Sequence, residues 1–378
     1  MRDIIINFVK RIIALFPLKK IILFESLPDF SDNTKAVFDE MLKRGLNKDY
    51  KFVWIVNEYE KFAMPQEIEN VKYIDRNTKK AVLYEWFAKI ILSCNIFLPK
   101  KRNDQYYLFL MHGGILKKLS KGYSVRADCR GCDYLSYSDY LKSAEAACFG
   151  FDEKNAKVLG YPRNDMLLNS PVDMKNLFSS EKYSKVIYWL PTFRKHKAND
   201  FSTSTISIPF LHDKKKVALI NNAAKENNTL IVVKPHFAQD LSEIDLLNLS
   251  NIKFIDDSFF AENNILHYEF LGGVDALLSD YSSVYYDYLL TDKPVGLCWE
   301  DVEQFRANNG FADIDIENVT CGAQKLYTAN DLIEFIRSVS CGEDRLACQR
   351  NNVKNHIHAF TDGNSAKRVV DFIESKMK

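Results

Sequence analysis

Two histidines of this 378-residue chain end apolar runs and are placed to move a proton. His112 ends the run 106–112 and precedes Gly113, and His236 ends the run 229–236. Imidazole is the side chain best suited to take a proton from a hydroxyl near neutral pH. His112 could instead be a core histidine, but the glycine after it favours close approach of a ligand. We predict that His112 and His236 are catalytic and that Gly113 contacts the substrate.

Groups able to bind a phosphate follow other apolar runs. The guanidinium of Arg194 suits phosphate oxygens, as do the hydroxyl and N–H groups where a helix starts at Ser282 and Ser283. Each has a structural alternative, because Arg194 could be a surface charge and serines cap helices. Asp280 could hold its turn or contact the substrate. The predicted binding residues here are Thr192, Arg194, Asp280, Ser282 and Ser283.

The segment 160–165, Gly-Tyr-Pro-Arg-Asn-Asp, follows a further apolar run. It predicts either a turn into a helix, with Asn164 or Asp165 as the N-cap, or a ligand contact. Arg163 is a stronger candidate for substrate binding than Asp165, and both are expected site residues.

Short apolar, β-rich runs alternate with helical patterns along the chain after residue 20. The runs are continuously apolar, as in parallel strands buried on both faces. The predicted strands are 21–26, 52–57, 71–75, 90–94, 106–112 and 157–161, then 186–191, 229–236, 252–256, 275–280 and 294–299. This alternation predicts an α/β fold with two Rossmann-like domains, at 21–175 and 176–378.

The polar segments all follow predicted strands. In open parallel sheets, ligands bind beyond the carboxyl ends of the strands. We therefore expect strand ends from both domains to face a central cleft, with the polar segment 196–216 as a long loop beside it. Histidines, an arginine and a helix start suit a pyrophosphate that releases a phosphate leaving group.

Composition and missing motifs exclude several classes of protein. A net charge of +1 argues against a generally basic nucleic-acid binder, and eight cysteines do not make a disulfide scaffold. Cys129 and Cys132 lack a second pair to complete a zinc site. The chain has neither G-x-x-x-x-G-K-[ST] nor G-x-G-x-x-G, and its Asp313–Asp315 pair falls in a late loop. We predict no metal and no cofactor.

Residues 1–20 predict an amphipathic helix that carries five bases and one acid. Its apolar stretch is interrupted by Lys10 and Arg11 and is too short for a membrane span of about 20 residues. A basic helix lying in the interface of an anionic membrane fits this pattern. The alternative is a helix packed on the protein's own core.

The motifs stand in a specific order between about residues 21 and 340. They are 24–26 with 31–33 and Lys35, 112–113 with 116–118, 160–165, 191–194, 234–236, and 280–283 with Asp287 and 293–294. As a set they resemble the CDP-glycerol glycerophosphotransferases of teichoic-acid assembly, a family of primases and polymerases.

This resemblance implies a GT-B-like fold and a peripheral protein at the cytoplasmic face of the membrane. It implies transfer of glycerol phosphate, or a related alditol phosphate, from CDP-glycerol to a hydroxyl of a lipid-linked saccharide, with release of CMP. It also implies that His112 is the general base. The residues implied as pyrophosphate binders are His236, Arg194, Ser282 and Ser283.

Departures from the family pattern at Met111, Phe237 and Cys321 leave the alditol and the acceptor open. One alternative function is a GT-B glycosyltransferase that uses a nucleotide sugar. A second is an inert membrane-bound adaptor, against which the presence of His112 and His236 argues.

Overall fold

The computed structural model describes residues 15–62, 64–94, 98–118, 131–178, 183–194, 206–236 and 249–377, with Ser204, Gln239 and Leu241. The chain divides into two compact units. Unit 1 comprises residues 1–112, 123–165 and 362–378, and unit 2 comprises residues 113–122 and 166–361.

The described strands are short, at three to seven residues each. In unit 1 they are β1 Lys19–Glu25, β2 Lys51–Val56, β3 Val71–Asp75, β4 Ala88–Ser93, β5 Tyr106–Phe109, β6 Asp133–Ser136 and β7 Ala156–Val158. In unit 2 they are β8 Lys185–Trp189, β9 Thr229–Val233, β10 Ile252–Phe254, β11 Ala276–Ser279, β12 Val295–Cys298 and β13 Gln324–Leu326.

Helices lie in many of the crossover connections that parallel pairing requires. They are α1 Asp32–Lys43, α2 Lys79–Phe87, α3 Lys142–Phe149, α4 Asn164–Asn169, α5 Met174–Leu177, α6 Lys214–Glu226 and α7 Asp257–Glu262. The remaining ones are α8 His267–Gly273, α9 Val284–Leu289, α10 Val302–Asn308, α11 Ile316–Thr320, α12 Ala329–Cys341, α13 Ala347–Ile357 and α14 Ser365–Met377.

Each unit contains one parallel sheet, so the predicted α/β class with two Rossmann-like sheets is confirmed. The strand order is β3-β2-β1-β4-β5-β6-β7 in unit 1 and β10-β9-β8-β11-β12-β13 in unit 2. All pairings between these strands are parallel. The order reverses between β1 and β4 and between β8 and β11, and such switch points are where ligands bind in open sheets.

The sheets are buried on both faces, which explains their continuous apolar runs. In unit 1, Phe24 of β1 stacks on Trp54 of β2 with ring centroids 5.4 Å apart. In unit 2, side chains of β8, β9 and β11 such as Ile187, Ile231 and Leu278 are fully buried in one core.

The compact units differ from the predicted domains at their boundaries. Residues 166–175 belong to unit 2, and residues 362–378 belong to unit 1. The last helix, α14, packs on α1, where Arg44 Nη1 donates to Asp371 Oδ1 and Glu374 Oε2, both at 2.6 Å. The fully buried side chains of Val369, Val370 and Ile373 on α14, together with these ion pairs, hold the C-terminus in unit 1.

Three further differences concern single elements. The short strands β6 and β13 were not predicted. The predicted loop 196–216 ends where α6 begins at residue 214, and most of its first half lies outside the described residues. The predicted N-terminal helix also lies largely outside them, and its last residues, Lys19 and Lys20, begin β1 instead. Among the helices that the structure describes, none is long and apolar enough to span a bilayer.

Glu145, on α3, carries a buried carboxyl group. Tyr161 donates to its Oε1 at 3.5 Å. Desolvation raises the pKa of Glu145 to about 8. Between about pH 4.5 and about pH 8, Glu145 therefore stays protonated in the folded protein but loses its proton in the unfolded chain. The contribution of this group to the free energy of unfolding falls as pH rises over that interval.

We predict that Glu145→Gln flattens this pH dependence. The variant should match the wild type at pH 5 and raise the free energy of unfolding at pH 8 by about 3 kcal/mol. Urea titrations at both pH values measure this, with the exposed Glu153→Gln as the control. Equal stability of the Glu145→Gln variant and the wild type at pH 8 would contradict the prediction.

Candidate functional site

His112 stands just beyond the carboxyl end of β5 and exposes 61% of its side chain. Its Nδ1 forms a short hydrogen bond with Oδ2 of Asp32. No residue that the structure describes forms a hydrogen bond with Nε2 of this imidazole. A carboxylate on one ring nitrogen orients the ring and stabilises its protonated form, which leaves the other nitrogen to accept a proton from a substrate.

Asp32 is held as a carboxylate by its neighbours. Nη1 of Arg163 donates to Oδ1 and Oδ2 of Asp32 at 3.0 and 3.2 Å and to the carbonyl of His112 at 2.5 Å. Burial disfavours the charged carboxylate, but the charges of Arg163 and His112 outweigh it and hold the pKa of Asp32 well below its ordinary value. We call Asp32, Asn33, His112 and Arg163 the histidine cluster.

Asn33 ties the backbone of the histidine cluster together. Its Nδ2 donates to the carbonyls of Leu110 and Met111 at 3.0 and 2.9 Å, and its Oδ1 accepts the N–H of Arg163 at 2.9 Å. Asp32 and Met111 have backbone φ angles of 61° and 58°, and such positive values are uncommon and costly for residues other than glycine. The bonds made by Asn33 compensate for this strain.

Gly160 and Asp165 flank Arg163 and serve the packing of α14. Gly160 has φ of 80°, and a Cβ there would lie 2.3 Å from Oγ of Ser365. Asp165 accepts the N–H groups of Ser365 at 2.9 Å and Ala366 at 2.7 Å, at the start of α14. Asp165 thus caps α14, which is distant in sequence, and not the helix that directly follows the turn, and its contact with the substrate stays a prediction.

Arg194 lies just beyond β8 and is 2% exposed. Its Nη1 donates to Oδ2 of Asp280 at 2.6 Å, and its Nε and Nη2 donate to the two oxygens of Asp301 at 2.8 and 3.0 Å. Burial opposes the guanidinium charge, but the two carboxylates outweigh it and raise the pKa of Arg194. The surface-charge alternative is wrong, and the fork expected to bind an anion is occupied by protein carboxylates.

Asp280 is fully buried and holds two loops together. It accepts the Thr192 N–H at 3.0 Å, the Thr192 hydroxyl at 2.5 Å and the Tyr281 N–H at 2.6 Å. This supports the turn-holding alternative for Asp280. We call Thr192, Arg194, Asp280, Tyr281 and Asp301 the arginine cluster.

Ser282 and Ser283 are partly exposed at the start of α9, beyond β11. Oγ of Ser282 accepts the Val284 N–H at 3.4 Å, and no capping bond is made by the side chain of Ser283. His236 is exposed beyond β9, with its ring centroid 5.3 Å from that of Phe193. Since β9, β8 and β11 are adjacent, their predicted site residues share one edge of the unit 2 sheet.

Gly113 directly follows the histidine cluster along the chain and has φ of 145°. Residues other than glycine rarely adopt this conformation, so the backbone requires glycine at this position. Whether Gly113 also contacts the substrate stays a prediction.

Sequence reasoning missed Asp32 and Asp301 as site residues. Asp32 follows β1 within the Ser-Asp-Asn segment 31–33, and Asp301 follows β12. Asp301 stands just after its strand, and that signal could have found it, whereas Asp32 is the first residue of α1 and had only its motif as a signal. Among the described residues, no group of three His, Cys, Asp or Glu side chains is placed to hold a metal ion. Cys132 is buried, and Cys129 lies outside the described residues.

Comparisons with known proteins agree with the resemblance. The family model described as CDP-glycerol:poly(glycerophosphate) glycerophosphotransferase matches residues 7–375. The teichoic acid poly(glycerol phosphate) polymerase of Bacillus spizizenii is 26% identical over 97% of this chain and 95% of its own length. The teichoic acid glycerol-phosphate primase of Bacillus subtilis is 25% identical over 78% of this chain and 76% of its own.

Other curated polymerases are longer, and the chain spans 41% to 57% of several of them. The solved structure of the wall teichoic acid polymerase TagF has a TM-score of 0.73 and 20% identity, covering 95% of this chain and 90% of that one. This likeness confirms the predicted GT-B-like fold class.

We predict that Asp165→Ala destabilises the protein through α14. The N–H groups of Ser365 and Ala366 would lose their acceptor, which should lower the free energy of unfolding by about 1–2 kcal/mol. Urea denaturation measures the loss, and Asp165→Asn, which keeps an acceptor, should restore most of it. An Asp165→Ala variant as stable as the wild type would contradict the capping role.

Proposed function

Because the chain belongs to the CDP-glycerol:poly(glycerophosphate) glycerophosphotransferase family, we propose how it transfers an alditol phosphate. The donor is CDP-glycerol or a related CDP-alditol, and the acceptor is a hydroxyl of a lipid-linked saccharide in teichoic-acid or related polymer synthesis. CMP is released. Family membership favours this reaction over transfer of a sugar from a nucleotide sugar and over an inert adaptor.

The observation that carries the proposal is the contact between Asp32 and the exposed imidazole of His112. In the proposed step, Nε2 of His112 takes the proton of the acceptor hydroxyl as its oxygen attacks the β-phosphorus of the donor. The new O–P bond forms, the P–O bond to CMP breaks, and the CMP phosphate carries away the electron pair. Asp32 stabilises the imidazolium formed.

Charge passing to CMP requires donors aimed at the diphosphate. We propose that His236 and the hydroxyls of Ser282 and Ser283 supply them, with Thr192 beside them at the same sheet edge. Arg194 acts as a positioning residue in this proposal, because its donors are engaged by Asp280 and Asp301.

The histidine cluster needs its own positioning group. Arg163 lies 3.0 Å from Asp32 and is almost fully buried, so we assign it to holding the carboxylate that orients His112. Gly113 lets the chain leave His112 in a conformation that other residues rarely adopt.

The proposed acceptor is attached to a lipid, so the enzyme must work at a membrane surface. We propose that residues 1–20 bind an anionic membrane at its cytoplasmic face. At the C-terminal end of that segment, Leu15 and Phe16 are 82% and 57% exposed. Exposed apolar side chains beside basic residues suit an anionic bilayer surface.

We predict that His112→Ala abolishes transfer while the donor still binds, because the variant lacks the base and keeps His236, Ser282 and Ser283, which are proposed to bind the diphosphate. A general base raises the reaction rate by about 10²–10⁴-fold, so kcat should fall by a factor in that range or by more. CMP release from CDP-glycerol with a prenyl-linked acceptor measures turnover, and calorimetry measures donor binding.

The matched control is His356→Ala, at an exposed position of α13, which should keep full activity. Near-normal turnover by His112→Ala would refute the assignment of the base. When nucleotide sugars are offered in place of CDP-glycerol, we expect no detectable reaction. Efficient use of a nucleotide sugar would overturn the proposed donor.

Membrane binding should depend on the two central bases of the N-terminal segment. We predict that Lys10→Glu with Arg11→Glu weakens binding to vesicles containing phosphatidylglycerol by at least about tenfold, since each base near such a surface contributes about 1 kcal/mol. Sedimentation with anionic and with zwitterionic vesicles measures this. The control is Lys214→Glu with Lys215→Glu, at exposed positions of α6. Unchanged sedimentation of the first variant would contradict the prediction.

A further inference from the structure

The arginine cluster leaves the proposed donor without its expected cation. The guanidinium of Arg194 is paired with two carboxylates and is 2% exposed, so a diphosphate cannot use its fork without breaking both ion pairs. A diphosphate approaching this edge of the unit 2 sheet therefore needs another positive charge.

The segment 115–118 runs past the arginine cluster within unit 2. Lys117 forms an antiparallel bridge with Phe311, and the N–H of Lys118 donates to the carbonyl of Gly310 at 3.1 Å. The hydroxyl of Tyr286, on α9, donates to the carbonyl of Ile115 at 3.0 Å. The backbone of this segment is thus fixed from both sides.

The bridge to Phe311 places Lys117 close to the arginine cluster. The ring of Phe311 lies 5.9 Å from that of Tyr281, and Tyr281 in turn lies 5.3 Å from the guanidinium of Arg194. The ammonium of Lys117 is attracted by Asp280 and repelled by Arg194.

Lys117 is partly buried, and none of the described residues forms an ion pair or hydrogen bond with its ammonium. Burial and the neighbouring charge of Arg194 lower its pKa, although Asp280 opposes the change. Asp280 is itself saturated by Thr192 and Arg194. An anion arriving at Nζ would supply the close counter-charge that none of the described residues provides.

We propose that Lys117 binds the diphosphate of the nucleotide donor. This inference rests on the proposed function, and it assigns the phosphate charge to a lysine of segment 115–118 instead of to Arg194. A lysine suits this task because its ammonium is a compact charge on a flexible stem and can follow a phosphate as bonds form and break.

A structural role would have a different signature. Two carboxylates, Asp280 and Asp301, face one guanidinium, so Lys117 could serve only to balance the second negative charge. In that case its loss would lower stability and would affect all ligands of the site alike. Binding of the diphosphate would not be selectively changed.

The experiment compares Lys117→Met, Lys117→Arg and Lys118→Met by calorimetry at pH 7.5 with CDP-glycerol and with cytidine, which lacks phosphates. Lys118 is exposed on the same segment and is the matched control for charge. Lys117→Met should weaken CDP-glycerol binding by about tenfold or more, and Lys117→Arg should restore most of it. Cytidine binding and the Lys118→Met variant should stay within about twofold of the wild type.

The outcomes separate this inference from the proposed function. A wild-type chain that does not bind CDP-glycerol would overturn the proposed function, and this inference with it. If the wild type binds, unchanged affinity in Lys117→Met overturns the inference alone. Equal weakening of cytidine and CDP-glycerol, or loss of folding in both Lys117→Met and Lys117→Gln by thermal denaturation, would assign the ammonium to charge balance and also overturn it.

Discussion

Each unit buries an arginine against carboxylates at the carboxyl edge of its sheet, and the geometry of both clusters depends on these pairs. Arg163 meets Asp32 at 3.0 Å, and Arg194 meets Asp280 at 2.6 Å and Asp301 at 2.8 Å. Removing one partner of a buried pair costs about 3–5 kcal/mol, because the other charge stays buried. The pairs therefore fix loops that are far apart in sequence, and they do so before any substrate arrives.

The apolar runs predicted most strands because a parallel sheet covered on both faces leaves little room for polar side chains. The strands of the structure end one to three residues earlier where a polar segment follows, as at His112 and His236. Strands β6 and β13 escaped prediction because their sequences, DYLS and QKL, contain few apolar residues. The return of α14 to unit 1 escaped too, since it depends on Arg44 meeting a distant helix face.

The candidate site could be located from the sequence but its internal roles could not. A basic residue after an apolar strand looks the same whether it meets a phosphate or a protein carboxylate. Arg194 and Asp301 lie 107 positions apart, and only the three-dimensional structure shows that they pair. Asp32 was visible within its motif, but its contact with His112 spans 80 positions and depends on an unusual backbone conformation.

The contrast between Arg194 and Lys117 follows from the chemistry of their charges. A guanidinium is planar and holds its donors in fixed directions, so it matches two carboxylates whose positions do not change. A phosphoryl transfer instead builds negative charge on the oxygen that bridges the two phosphates as its bond to the β-phosphorus breaks, and an ammonium on a flexible stem can follow that charge. In the proposed reaction, the buried guanidinium of Arg194 holds the loops in place, while the ammonium of Lys117 binds the diphosphate. CMP can then leave without disturbing the ion pairs on which the fold of this edge depends.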